Sequence, residues 1–226
     1  STYIDLNLDY LQTNKADIEK FPLYPFYEGK KVELFDNLSE LGLVKFRGKF
    51  NGFIEDFVTY GRIETAIGNV SADVNFKYDK EKEGIYSGHI SSEGFNLGRM
   101  LRQENIIDIV SLNADIKGHG LSIKKINTSI NGTVNSIGFN HYTYKNVTMN
   151  SEVAKGLFNG HVAVKDNNID LSFDGTVDLA KDVPDINFTS VIKKARLKNL
   201  HLIDRDSTCN VKVDIDAHFS GKGIDN

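Results

Sequence analysis

The sequence predicts an all-β protein: an elongated antiparallel sheet with minor short helices. Two observations carry this. Apolar and polar residues alternate strictly in segment after segment, and turn signals separate those segments at hairpin intervals. Residues 169–179 place Ile169, Leu171, Phe173, Gly175, Val177 and Leu179 on one parity and Asp170, Ser172, Asp174, Thr176 and Asp178 on the other. A period of two is the strand period, so one face of such a segment is dry and the other wet. The same pattern recurs in Ile4-Leu6-Leu8-Tyr10, in Val70-Ala72-Val74-Phe76-Tyr78, in Phe158-Gly160-Val162-Val164 and in Val211-Val213-Ile215-Ala217-Phe219.

Taken in order, residues 2–10 read as a strand. Residues 11–42 break the pattern, with a helical turn expected at 14–20, a Pro- and aromatic-rich stretch at 21–27 and a short helix at 38–41. Strands then follow at about 43–51, 57–66, 68–79, 84–94, 107–118, 121–131, 133–139, 142–152, 156–165, 168–179, 185–197 and 208–219. Lys82-Glu83-Gly84, Asn131-Gly132 and Asp166-Asn167-Asn168 are the turn signals between several of them. One further helix is expected at 97–105, with Leu97, Met100 and Leu101 on one side.

An internal repeat is visible. Gly84-Ile85-Tyr86-Ser87-Gly88-His89-Ile90 aligns with Gly156-Leu157-Phe158-Asn159-Gly160-His161-Val162 at an offset of 72 (156 minus 84), with three positions identical and four conservative. Gly48/Gly118 and Gly68/Gly138 pair at an offset of 70. Ala217-His218-Phe219-Ser220-Gly221 resembles Ala114-Asp115-Ile116-Lys117-Gly118, so a third unit opens late in the chain. The expected organisation is a first strand plus irregular segment (1–42), a groove repeat (43–112), a second repeat with an extra hairpin near 165–195 (113–208) and the start of a third (209–226). Units of this kind stack in a quasi-linear array. The alternation begins by Tyr3 and still runs at Phe219, so the chain is expected to be a middle segment of something longer.

Composition narrows the function classes. Hydrophobic residues make up 40% of the chain, enough for a core and against disorder. The net charge of −4 gives no electrostatic reason to bind nucleic acid. The basic run from Lys193 to Lys198 reads as a solvated strand end. Cys209 is the single cysteine, so no internal disulfide forms and the compartment stays open. No window is apolar and long enough for a membrane-spanning helix. The six histidines lack Cys or carboxylate partners at ligand spacing, and His89 and His161 read as surface residues on the polar parity. No nucleophile elbow, zinc-protease helix or P-loop is present, no carboxylate pair stands out, and no cofactor or metal is expected. Asn-x-Ser/Thr triplets such as Asn146-Val147-Thr148 need no glycosylation in a chain so rich in these residues.

The dry face has two readings. It lines a sealed sandwich or barrel core, which would suit a structural or adhesive repeat domain without a ligand. Alternatively, a long single sheet curls along its length, a β-taco, and leaves a groove with an apolar floor. The near absence of helix to cover a sheet favours the groove, and acyl chains would complete the burial of its floor. The expected lining is Val70, Ala72, Val74, Phe76, Tyr86, Ile90, Phe158, Val162, Leu171, Phe173, Val177, Val213 and Ile215.

Lys45-Phe46-Arg47-Gly48-Lys49-Phe50-Asn51-Gly52-Phe53, followed by Asp56-Phe57 and by Gly61-Arg62-Ile63-Glu64-Thr65-Ala66-Ile67-Gly68, resembles the repeat phrase of TamB-like proteins of the AsmA-like group, in the form found in Bacteroidota. Phe95-Asn96-Leu97-Gly98-Arg99-Met100-Leu101 resembles the turn that follows that phrase. The resemblance covers about 43–223, and the architecture is similar to that of bridge-like lipid-transfer proteins. It implies a periplasmic protein anchored in the inner membrane by an N-terminal helix outside this chain. It further implies phospholipid transport between membranes, or outer-membrane biogenesis with a BamA-like barrel partner bound through regions also outside it. No catalysis is expected.

Overall fold

The computed structural model describes residues 2–20, 36–53, 55–79, 83–120, 125–178, 185–203 and 210–220. The elements, in chain order, are β1 (Ile4–Thr13), α1 (Lys15–Lys20), a 3-10 helix (Asp36–Leu41), β2 (Val44–Phe53), β3 (Asp56–Thr65), β4 (Gly68–Tyr78), β5 (Gly84–Asn96), α2 (Leu97–Leu101), β6 (Ile107–His119), β7 (Asn127–Phe139), β8 (Tyr142–Ala154), β9 (Leu157–Lys165), β10 (Ile169–Asp178), β11 (Asp185–Arg196) and β12 (Asn210–Ser220). All twelve strands form one antiparallel sheet whose spatial order is the chain order. The sheet is curled and unclosed, with β1 and β12 at its edges. The units expected from the sequence therefore belong to one continuous ladder, and the 112/113 boundary falls inside β6.

The register turns a set of local alternations into one surface. A row of directly paired residues crosses the whole sheet: Leu8, Gly48, Gly61, Ala72, Ile90, Ala114, Gly132, Met149, Val162, Phe173, Ser190 and Ile215. Side chains of paired residues share a face. In β2 and β3 the residues of this face are half-buried and those between them exposed, without exception. A single layer shelters one face only by curling over it, so the apolar face is the concave one.

Glycine permits the curl. Gly48 and Gly61 lie opposite each other on the concave face, and a Cβ on Gly48 would fall 2.2 Å from the Tyr60 carbonyl oxygen. At Gly88, also on the concave face, it would fall 2.0 Å from the carbonyl oxygen of Asp73. Both obstacles are backbone, so no side-chain rearrangement relieves them.

The two lips of the curled sheet differ. At one lip lie the ends of β1, β3, β5, β7, β9 and β11. Register shifts occur there, between Leu8 and Leu11, Ser92 and Phe95, Ile107 and Val110, Asp170 and Leu171, and Ile192 and Ala195. Bulges bend a strand and tighten its twist, which turns this lip inward. Short connections then fold over it. Leu97 and Met100 of α2, with Leu41 of the 3-10 helix, pack on Ile67, Phe95 and Val110. Further along, residues 197–203 bring Leu197 and Leu200 onto Val147, Val164, Ile169 and Ala195. Leu200 is 1% exposed and Val110 3%.

Several expectations are corrected. Asn131-Gly132 is not a turn, and 121–131 and 133–139 are not two strands: β7 runs unbroken through both residues. Asn-Gly closes a hairpin only where the ladder ends. Here Asn131 pairs with Asp115 and Asn150, and Gly132 with Ala114 and Met149, so the bonds on both sides hold the strand straight. Residues 121–124 lie outside the described residues. Tyr10 does not continue the row of Ile4, Leu6 and Leu8, because the bulge after Leu8 puts Leu11 opposite Phe46. The helix expected at 97–105 ends at Leu101, where Arg102 takes a left-handed conformation and Gln103 donates to the Gly98 carbonyl. Gly68 opens β4 whereas Gly138 lies near the end of β7, so that pairing at an offset of 70 has no structural counterpart. Residues 21–27 and Cys209 are outside the described residues.

Candidate functional site

The sequence-predicted lining residues fall on five strands. Val70, Ala72, Val74 and Phe76 lie on β4, Tyr86 and Ile90 on β5, Phe158 and Val162 on β9, Leu171, Phe173 and Val177 on β10, and Val213 and Ile215 on β12. The register puts all thirteen on the concave face. β4 and β5 are separated from β9 by three strands, and those strands continue the same surface. Val213, on the edge strand, is 37% exposed.

The intervening and flanking strands supply residues the sequence reading did not single out. β2 and β3 add Phe46, Phe50, Phe57 and Ile63; β6 to β8 add Ile116, Ile130, Val134 and Met149; β11 adds Phe188. Their signal was present in the same parity rule. Phe46 and Phe50 alternate with Arg47 and Lys49, and Phe188 with Asn187 and Thr189.

Phenylalanine rings gather in two groups on this face, and a further group, Phe139, Tyr142 and Tyr144, sits at the capped lip. Phe50 and Phe57 have centroids 4.5 Å apart, and Phe57 and Phe76 5.1 Å. Further along, Phe158 and Phe173 are 6.4 Å apart, and Phe173 and Phe188 5.3 Å. Pairs at such distances add about 0.5–1.5 kcal/mol beyond area burial. Next to the first group, the Tyr86 hydroxyl is hydrogen-bonded to the Thr128 hydroxyl. Tyr86 and Thr128 both pair with Gly118, which leaves room between them for the tyrosine to reach across β6.

The buried hydroxyls are mostly satisfied within the chain. Ser190 donates to the Ser172 carbonyl at 2.9 Å, and Ser92 to that of Val110 at 3.4 Å. Ser151 Oγ, on a residue 3% exposed, has no hydrogen-bond partner among the described residues. Between the two lips no charged residue occupies a concave-face position of the paired register in the described strands; Lys145, two residues from Val147 in an unshifted register, is exposed at the capped lip.

Charges sit on the convex face and at the lips. The repeat-related His89 and His161 each lie beside an aspartate of the next strand, Nδ1 to carboxylate oxygen 2.9 Å, with Asp115 and Asp174 respectively. At the lip opposite the capped one, Glu83 pairs with Lys125 at 3.0 Å and approaches His119 at 3.8 Å. Among the described residues no group of three or more potential metal ligands converges. At the capped lip, burial pushes the Tyr142 hydroxyl above its usual pKa, helped by its hydrogen bond to Asp166. Burial does the same to Tyr144, with the Asp166 charge adding to it.

The Phe-Asn-Leu-Gly turn has a local physical account. Phe95 is buried, and the Asn96 side chain caps α2 by accepting from the Arg99 amide at 2.8 Å. Gly98 is pressed on the Ile107 carbonyl, where a Cβ would come within 1.8 Å of the oxygen. Leu97 and Met100 are then left to cover the groove edge.

No protein-family model matches this chain, and no curated protein or solved structure matches it either.

Proposed function

We propose that this chain holds lipid acyl chains against its concave face and conducts them along the sheet without catalysis. The observation that carries the reading is the apolar face itself: it crosses all twelve strands, carries no charge between the two lips in the described register, and is half-buried over much of its extent where a sealed core would be buried throughout. Water left on such a surface costs about 25 cal/mol per Å² of apolar area, and an acyl chain removes that cost without needing a hydrogen bond. At about 4.8 Å per strand the floor extends roughly 53 Å, longer than the ~30 Å hydrocarbon core of a bilayer.

The resemblance to TamB-like proteins supplies the setting. In this proposal the chain is a periplasmic segment of an inner-membrane-anchored protein that moves phospholipid toward the outer membrane or serves its biogenesis. An outer-membrane barrel partner would be met by other parts of that protein.

Organic extraction and mass spectrometry of the purified chain should release co-purified phospholipid, and a chain that carries none and takes up none from vesicles would refute the reading. Phe173→Asp provides the second test. A charge on an open floor stays partly wet, so the variant should fold cooperatively and lose uptake of a fluorescent phospholipid. In a sealed core the same change should abolish folding, because a charge buried without a partner costs several kcal/mol.

A further inference from the structure

We propose, building on the lipid reading above, that Ser151 is a specificity-determining residue of the groove: its hydroxyl donates to an acyl carbonyl, so the floor prefers ester-linked lipid to ether-linked lipid of the same length and head group. Four polar residues are buried among the described residues, Ser92, Thr128, Ser151 and Ser190. Three of them are satisfied within the chain. Ser92 and Ser190 donate to backbone carbonyls, and Thr128 shares a hydrogen bond with Tyr86. Ser151, 3% exposed, is left with an oxygen that has no partner among the described residues and is closed off from solvent. A buried hydroxyl without a partner is unfavourable and uncommon in folded chains.

Its position explains why no side chain meets it. Ser151 lies on the concave face of β8, paired with Ile130 of β7 and Gly160 of β9. Met149 and Val153 are its same-face neighbours along the strand. These four residues bring no side-chain oxygen or nitrogen. Beyond Gly160 the row continues to Gly175 of β10, so two successive strands offer no side chain. A Cβ on Gly160 would fall 2.5 Å from that of Ser151, so a larger residue there would crowd the serine. Ser190 shows what a floor serine does otherwise: it donates to the carbonyl of Ser172, the residue before its pairing partner Phe173. Ser151 makes no equivalent bond to Asn159.

The chemistry of the acceptor follows. The hydroxyl is neutral, and no charged side chain shares this part of the floor. A phosphate or a free carboxylate would be buried there without a counter-charge. An acyl carbonyl is a neutral acceptor that one hydroxyl satisfies. Its depth fits as well. Ser151 is three residues from Ala154, the last of β8, at the lip opposite the capped one. That is roughly 10 Å at ~3.4 Å per residue. In an ester-linked lipid the carbonyl joins the acyl chain to the head-group end. A carbonyl at Ser151 therefore leaves the acyl chain on the floor and the head group at the exposed lip. The oxygen is covered by its neighbours, so the carbonyl reaches it as they part around the entering chain. An ether-linked lipid has the same tail and head but no carbonyl to offer.

Diacyl and dialkyl phosphatidylcholine of equal chain length are each competed against a fluorescent phospholipid, on the parent and on Ser151→Ala. One neutral hydrogen bond corresponds to about a 3- to 10-fold preference, and the parent should show it for the diacyl lipid. Ser151→Ala should bind the dialkyl lipid as the parent does and lose the preference. The infrared carbonyl stretch of bound, isotope-labelled diacyl lipid should lie lower in the parent than in Ser151→Ala, a difference that a purely packing role would not produce. Equal affinity of the parent for the two lipids, or a preference that survives in Ser151→Ala, overturns the proposal and leaves the lipid reading intact. Uptake of neither lipid by the parent overturns both. Alanine removes an oxygen that no described group uses, so the variant should melt no lower than the parent. Where it fails to fold, Ser151→Cys, close in size and a weak donor, is measured in its place against the same outcomes.

Discussion

The two lips of the sheet are built from the same kind of strand yet differ in packing. At the capped lip, bulges bend the strands inward, and α2, the 3-10 helix and residues 197–203 bury Ile67, Phe95, Val110, Val164 and Leu200. At the opposite lip no apolar side chain among the described residues is buried, and Phe53, Tyr78 and Leu157 are exposed. Alternation alone makes a half-buried layer; a dry core needs a second element folded over it. Stability should therefore concentrate at one lip, leaving the floor and the other lip free for a ligand.

Truncation is the strongest way to break this comparison. Phe95→Ala should cost about 3–5 kcal/mol and Leu200→Ala about 2–5 kcal/mol, since each leaves a cavity in a packed cluster. Tyr78→Ala at the opposite lip should cost well under half of that. Urea denaturation of the three variants checks it, and equal losses would remove the distinction between the lips.

A smaller effect tests the glycines. Gly98→Ala should destabilise by about 1–3 kcal/mol, because the new methyl meets the Ile107 carbonyl rather than a movable side chain. Gly88→Ala should do the same on the floor through the Asp73 carbonyl. Gly98→Ala should also free α2, detected as faster amide exchange at the capped lip, whereas Gly88→Ala should leave α2 protected. Identical exchange maps would show that the lip and the floor are one unit.

The cap of α2 comes next. Asn96→Ala removes the bond to the Arg99 amide and should cost about 1 kcal/mol. Asn96→Asp keeps an acceptor and should recover most of it. Thermal melts of the pair decide the point.

The smallest effect is alkaline. Tyr142 and Tyr144 have hydroxyl pKa values raised above 10.0 in the folded chain, by burial first and Asp166 second. A raised pKa means the folded state holds the proton more tightly than the unfolded one. Its contribution is complete below pH 10 and is lost as pH rises through the folded values. Tyr144→Phe should be nearly neutral at pH 7 and should flatten the fall in stability above pH 10. A variant with the alkaline slope of the parent would show that Tyr144 does not contribute to it.

Much of the sheet was legible because period two is a local property. The concave parity of β4, β9, β10 and β12 follows from neighbours two apart, and no contact is needed to see it. What failed was whatever depends on a partner strand. Asn131-Gly132 carries a strong turn signal, but its pairing on both sides keeps β7 straight. Tyr10 obeys the alternation, but a bulge against β2 gives its place to Leu11. Leu200 carries no periodic signal at all, and its burial comes from residues 197–203 folding back on strands that lie earlier in the chain.

By itself, the sequence determined that the protein is a succession of hairpins with one apolar face, because alternation and turn chemistry act over a few residues. The parity that puts the thirteen named residues on one face was readable for the same reason. Only the tertiary structure decided that this face is a curled, unclosed surface with one dry lip and two groups of phenylalanine rings. Those features depend on where bulges fall, which connections fold back and which rings meet across strands, and each joins residues whose separation in the chain carries no periodic signal.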